Sequence, residues 1–95
     1  MPQSSFPLGQ IVATPAALDA LARAGISPAA YLDRHATGGF GEVPASDAQA
    51  NRRDIADGGG RIMSAYDLSG GIRIWVITQL AGEETYTTLL LPDEY

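Results

Sequence analysis

The sequence predicts an α+β domain, in which a helical hairpin and a third helix pack on a C-terminal antiparallel sheet of three to four strands. Thr14-Pro15 and Ser27-Pro28 each place a preferred N-cap residue before a proline that fits the first helical position. From residue 61 onwards the apolar residues recur with a period of two, which is typical of strands. The chain therefore divides into a helical part and a sheet part.

The N-terminal elements follow in order. Residues 1–9 hold two prolines and two serines and are expected to form a flexible lead-in to a single domain over residues 10–95. Residues 10–13, with β-branched Ile11 and Val12 at their centre, predict a short strand that widens the sheet. The first helix ends at Gly25, which favours a left-handed C-terminal stop, and the second runs from Ser27 to about His35.

A third helix is predicted over residues 47–56. Ser46 and Gln49 have the spacing of a capping box, in which each side chain bonds a free backbone N–H at the helix start. Three consecutive glycines at positions 58–60 end this helix. The glycine-rich segment before it, around Phe40, is expected to be a loop.

Three strands are predicted at residues 61–68, 72–79 and 85–91. A three-residue turn at residues 69–71 places apolar side chains of the first two strands on one inner face; these are Ile62, Tyr66, Leu68, Ile72, Ile74 and Val76. A two-residue turn would reverse one strand's faces, because a one-residue slip moves every side chain to the other side. We favour the three-residue turn since it separates polar from apolar residues better. Threonines 78, 85, 87 and 88 are expected at solvent-facing strand positions.

Composition limits the classes of function. The 95 residues contain no cysteine, which excludes disulfides and thiolate chemistry and suits a cytoplasmic protein. No leader peptide or membrane span is expected from the N-terminal residues. Six arginines face eleven acidic residues, for a net charge of −5, so direct nucleic-acid binding is disfavoured. An acidic domain of this kind suits docking against a basic surface of another protein.

Two motifs permit alternative functions. His35, the single histidine, is expected to be a helix-end residue favoured by the helix dipole. With Glu42 and Arg53 it would also supply the acid–base pair and the cation of a small ribonuclease-like enzyme. The turn between the two N-terminal helices resembles that of a helix-turn-helix, which makes DNA binding a second alternative. No ligand spacing for a metal and no cofactor motif is present in the sequence, so neither is expected.

The leading candidate site is the outer face of the predicted sheet. Apolar and aromatic side chains lie there among charged ones, a composition typical of protein interfaces. The predicted partner-binding residues are Met63, Arg73, Trp75, Ile77 and Tyr86. Two other covers for this face are open: the third helix, which would make it core, or a second copy of the chain in a homodimer.

Several segments resemble a family of small proteins that bacterial plasmids and integrative elements carry. These are FPLGQIVATPAAL at residues 6–18, LDRHATG at 32–38, RIMSAY at 61–66, IWVIT at 74–78 and LLLPDEY at 89–95. Residues 38–41 read Gly-Gly-Phe-Gly where the family tends to have Gly-Asp-Trp-Gly, and Gln79-Leu80 replaces a charged pair. The resemblance implies no mechanism. It implies a mobile-element setting, and hence an anti-defence inhibitor, directed at a CRISPR or restriction system, that binds a host or defence-system protein without catalysis.

Overall fold

A computed structural model describes residues 4–95 and shows an α+β domain with three helices and a four-stranded sheet in that range. The elements are β1 Gln10–Ala13, α1 Pro15–Ala24, α2 Pro28–Ala36, α3 Ala45–Asp57, β2 Gly60–Asp67, β3 Arg73–Leu80 and β4 Tyr86–Leu90. Three single-turn 3₁₀ segments follow β2, β3 and β4, at Ser69–Gly71, Gly82–Glu84 and Pro92–Glu94. The predicted α+β class, with three helices on a four-stranded sheet, is confirmed.

The sheet is mixed, which corrects the prediction of an antiparallel one. Its strand order is β1-β4-β3-β2. The three C-terminal strands pair antiparallel in chain order, whereas β1 runs parallel to β4, with Gln10 opposite Tyr86. Parallel neighbours need a long connection, and the helices and later strands between β1 and β4 supply it. The composition of a four-residue strand carries no signal for the direction in which it pairs.

The first two helices begin and end as predicted. The Thr14 hydroxyl accepts from the N–H of Ala17 at 3.1 Å, and the Ser27 hydroxyl accepts from the N–H of Ala29 at 3.3 Å. Gly25 ends α1 with a φ of 71°, a conformation that glycine adopts without strain.

The predicted capping box of α3 is wrong. The helix begins at Ala45 with Pro44 as its N-cap, and the N–H groups of Asp47 and Ala48 both donate to the Pro44 carbonyl. Ser46 therefore lies inside the first turn rather than before it. No side chain caps this helix start.

The turn between β2 and β3 has the predicted three residues. The N–H of Leu68 donates to the Ile72 carbonyl at 2.7 Å, and Gly70 has a φ of 77°. Tyr66 lies opposite Ile74, so both belong to the inner face, as expected. Ile72 differs from its prediction: β3 begins one residue later, and the Ile72 side chain is exposed because it belongs to the turn.

The core lies between the inner face and the helices, in two clusters. One joins α1 and α2 to the middle of the sheet: Ala17, Ala20, Leu21, Tyr31, Tyr66, Leu68, Ile74, Val76 and Leu89. The second joins the N-terminal segment and the loop before α3 to the sheet: Phe6, Phe40, Ile62 and Leu80. Ala48 and Ile55 of α3 pack against this second cluster. Phe6 thus anchors part of the segment predicted as a lead-in, of which residues 1–3 lie outside the described residues.

The free edge of β2 is covered from Arg61 to Ala65. The backbone N–H of Arg61 donates to the Asp54 carboxylate at 3.2 Å, and the N–H of Met63 donates to the Asn51 side-chain oxygen at 3.0 Å. The Asn51 amide donates in return to the Met63 carbonyl at 2.7 Å. Farther along, the N–H of Ala65 donates to the Phe40 carbonyl at 3.0 Å. These groups replace the neighbouring strand that this edge lacks.

Candidate functional site

Within residues 4–95, none of the helices α1 to α3 lies on the outer face of the sheet. The buried residues of α1 and α2 belong to the inner-face core, and α3 lies along the β2 edge. Cross-strand pairs order the outer face: Arg61 is opposite Gln79, Met63 opposite Ile77, and Ala65 opposite Trp75. Gln79 is in turn opposite Tyr86 of β4. Of the covers left open from the sequence, the third helix is not the one the structure shows, because α3 packs against the inner-face cluster and the edge instead.

The C-terminal turn lies on part of this face. The Tyr95 ring meets the Trp75 ring edge to face, with centroids 5.6 Å apart. The Arg61 guanidinium lies 5.4 Å from the centroid of the same Tyr95 ring and donates to its hydroxyl. The three side chains therefore form one aromatic and cationic group that spans β2 and β3.

Glu94 holds this turn in place. Its carboxylate accepts from the Thr14 hydroxyl at 2.7 Å and from the N–H of Leu91 at 2.8 Å. These hydrogen bonds, that from the Leu91 N–H above all, lower the pKa of the Glu94 carboxyl. The start of α1 and the end of the chain are joined in this way, which positions Tyr95 over the sheet.

A hollow of about 170 Å³ opens beside Tyr95 on the same face. Its lining consists of Arg61, Ile77, Gln79, Tyr86, Thr88, Leu90 and Tyr95. Tyr86 is 47% exposed and Tyr95 65% exposed, although Ile77 at the floor is buried. We call this group, together with Trp75, the outer-face site.

The structure brings four of the five predicted partner-binding residues onto one side of the sheet near this hollow. Ile77 and Tyr86 line it, Trp75 packs against Tyr95, and Met63 lies half-buried opposite Ile77. Arg73 lies at the other end of β3, where its guanidinium donates to the Asp67 carboxylate at 2.7 Å. This hydrogen bond raises the pKa of Arg73.

Sequence reasoning missed both Tyr95 and Arg61 as site residues. Pro92 follows the predicted strand at residues 85–91 and is the first residue of the turn that returns Tyr95 to the sheet. The proline three residues before Tyr95 was the signal in the sequence that could have indicated this turn.

His35 lies in the interior rather than at an exposed helix end. The ring is 0% exposed, and the Phe6 ring meets it edge to face at 5.1 Å between centroids. Its Nδ1 is 2.5 Å from the Ser64 hydroxyl, and its Nε2 is 2.9 Å from the Thr78 hydroxyl. Thr78, Thr85 and Thr87 are buried too, so their prediction as solvent-facing threonines is wrong.

The hydrogen bonds define the tautomer of His35. The Thr87 hydroxyl donates to the Leu8 carbonyl at 2.7 Å, so it accepts the proton of the Thr78 hydroxyl, 2.6 Å away. Thr78 must then accept from His35 Nε2–H, which leaves Nδ1 to accept from the Ser64 hydroxyl. Burial lowers the pKa of His35 from 6.5 to about 4, so the ring is neutral near pH 7.

The structure keeps the residues of the ribonuclease alternative in different environments. Glu42 and Arg53 are exposed, whereas His35 is enclosed and both of its ring nitrogens are hydrogen-bonded. Across residues 4–95, no hydrogen bond or ion pair joins His35 to either of them.

The helix-turn-helix alternative depends on α2 as a recognition helix. Its single arginine, Arg34, lies 4.6 Å from the centroid of the Tyr66 ring and 5.8 Å from that of Tyr31. The two tyrosine rings are themselves stacked at 4.5 Å. The guanidinium therefore covers an aromatic pair of the core, in a cation–π arrangement.

Residues 4–95 lack the features of two further kinds of site. No group of three or more His, Asp or Glu side chains is placed to hold a metal ion in that range. None of the described helices has the length and apolar character that crossing a membrane requires.

Comparison with known proteins found no matching family model, curated protein or solved structure. The resemblance to small proteins of mobile elements stays a prediction. The function is therefore argued from the geometry of the molecule.

Proposed function

We propose that the protein is a non-enzymatic binding domain that docks a partner protein against the outer-face site. The resemblance to mobile-element proteins suggests the class of partner, a host or defence-system protein that the bound domain would inhibit. The net charge of −5 supports a partner with a basic surface.

The observation that carries the proposal is an aromatic and cationic group on a sheet face that no helix covers. Tyr86, Tyr95 and Arg61 surround a hollow with an apolar floor. Tyrosine, tryptophan and arginine are the side chains on which binding energy concentrates at protein interfaces, usually in desolvated pockets ringed by neutral contacts. The buried Ile77 and Leu90 give such a pocket its floor.

Single substitutions at two distant corners of the site test this proposal. Tyr86→Ser removes an exposed ring from β4, and Arg61→Ala removes the guanidinium from β2. In capture from a bacterial lysate, the amount of partner bound to each variant should fall by about fivefold or more relative to the wild type. A central interface residue contributes more than about 1 kcal/mol of binding free energy. Bound proteins are quantified by mass spectrometry.

Leu18→Ser is the matched control, because Leu18 is 45% exposed on α1, away from the sheet's outer face. It should leave capture unchanged. Equal losses in all three variants, or no loss in either site variant, would contradict the proposal. Urea unfolding of each variant separates lost binding from lost folding.

A further inference from the structure

The two edges of the sheet differ in how their backbone groups are satisfied. Side chains and a loop cover the β2 edge, as described above. On β1, the N–H of Gln10 donates to the Thr85 carbonyl at 3.2 Å, and the N–H of Thr14 donates to the Leu89 carbonyl at 3.0 Å. Alternate residues of a parallel strand face away from its neighbour, so the N–H groups of Ile11 and Ala13 point outwards. Within residues 4–95 no loop or turn carbonyl accepts from these two groups, and the register of β1 directs them away from β4.

The side chains along this edge are apolar and accessible. Ile11 is 48% exposed and Val12 43% exposed. A hollow of about 560 Å³ opens at the start of the strand. Its lining includes Gly9, Gln10, Val12, Glu83, Glu84 and Tyr86, and no basic side chain. An added strand would bury the two apolar side chains and place one of its own end residues in this hollow.

Carboxylates lie at both ends of β1. Glu83 and Glu84 line the hollow beside Gln10. At the other end, Glu94 bonds to Thr14, and Asp93 precedes it in the same turn. If the β1 strands of two copies paired antiparallel, Glu83 and Glu84 of one copy would lie beside Asp93 and Glu94 of the other. This like-charge contact disfavours self-association and favours a strand with basic ends.

We propose that the β1 edge binds an extended segment of another protein, basic at its ends, which adds to the sheet as a fifth strand. Backbone hydrogen bonds to Ile11 and Ala13 provide the register, and the carboxylates select the charge. This edge shares Tyr86 with the outer-face site but differs from it in how it binds, because its bonding groups lie in the plane of the sheet rather than above it.

Two synthetic peptides of equal length test the proposal: Lys-Val-Thr-Val-Thr-Val-Lys and Glu-Val-Thr-Val-Thr-Val-Glu, both with blocked ends. Each is titrated into the ¹⁵N-labelled protein and followed by NMR. The lysine-ended peptide should bind about tenfold more tightly at low salt, and the difference should shrink as salt is added. Amide exchange at Ile11 and Ala13 should slow when it binds.

Variants separate the contribution of backbone hydrogen bonds to peptide binding from the contribution of charge. Ile11→Pro removes an outward N–H without removing a bond to β4, so it should abolish binding while unfolding stays cooperative. Glu83→Gln with Glu84→Gln should remove about half of the preference for lysine, because the second acidic pair remains, whereas Asp33→Asn with Asp57→Asn should leave the preference unchanged. Arg61→Ala should bind the peptide normally, which distinguishes this edge from the outer-face site.

Three results would overturn the inference. The first is no change in exchange at Ile11 and Ala13 with either peptide at millimolar concentration. The second is equal affinity for the two peptides. The third is protection of the same two amides without peptide in a concentration-dependent dimer, which would make a second copy the occupant.

Discussion

Among single residues, His35 connects α2 to two strands of the sheet through buried hydrogen bonds. It lies between Ser64 of β2 and Thr78 of β3, and the chain of hydroxyls continues through Thr87 to the Leu8 carbonyl. Each donor in this chain has one acceptor, so the network fixes the orientation of α2 over the sheet as well as the tautomer of the ring. Breaking one member leaves a buried polar group without a partner, which costs about 1–3 kcal/mol.

His35 makes the stability of the fold depend on pH. Its pKa is about 4 in the folded protein, against 6.5 for a solvated histidine such as that of the unfolded chain. Because the folded pKa is the lower one, the unfolded state binds the proton first, and stability is lost as pH falls from about 6.5 towards 4. The full loss is about 3 kcal/mol. Urea unfolding at a series of pH values measures it.

His35→Gln is the control for this prediction. The variant is less stable at pH 7, but its free energy of unfolding should change much less between pH 6.5 and 4.5. The lowered pKa of Glu94 makes stability fall as well, but only below about 4.5, its ordinary value. If the free energy of unfolding depended on pH equally in the wild type and the variant above pH 5, the His35 ring would not be buried in its neutral form.

At the scale of elements, α3 protects one edge of the sheet. Asn51 faces Met63 with both its amide and its carbonyl and so imitates the backbone of a neighbouring strand. Asp54 and the loop at Phe40 satisfy the positions on either side. A polar residue in the middle of a helix was not assigned a role from the sequence, because an exposed and a strand-capping asparagine have the same local pattern.

Asn51→Ala should destabilise the protein by about 1–3 kcal/mol, since it leaves the N–H and carbonyl of Met63 without partners. Gln49→Ala, at an exposed position of the same helix, should change stability by less than about 0.5 kcal/mol. Urea unfolding measures both. Amide exchange at Met63 should accelerate only in the first variant, and an unchanged rate there would mean that Asn51 does not cover the edge.

For the whole molecule, local signals predicted most of the fold. The N-caps Thr14 and Ser27 and the glycine turn before Ile72 lie within a few residues of what they determine, so the helices and the hairpin could be assigned from the sequence. The direction of β1 could not, because it depends on contacts with β4 more than seventy residues away. The covering of Trp75 by Tyr95 is a long-range contact of the same kind.

The candidate site was predicted only in part, because its covering also depends on long-range contacts. Period-two patterning placed Met63, Trp75 and Ile77 on one face, and pairing in the structure agrees. Patterning does not distinguish a face covered by a helix from one covered by four terminal residues. It also does not show which threonines are buried, since Thr78 on the inner face and Thr88 on the outer face have the same composition signal.

Site-specific photocrosslinking tests the central claim, that the outer-face site contacts the partner, most directly. A benzophenone amino acid replaces Tyr95, which is 65% exposed over the site, or in a second variant Leu18, which is 45% exposed on α1. After irradiation in a bacterial lysate, the protein labelled at position 95 should form a discrete adduct with another protein, and the protein labelled at position 18 should not. An adduct from position 18 alone, or none from position 95, would contradict the account.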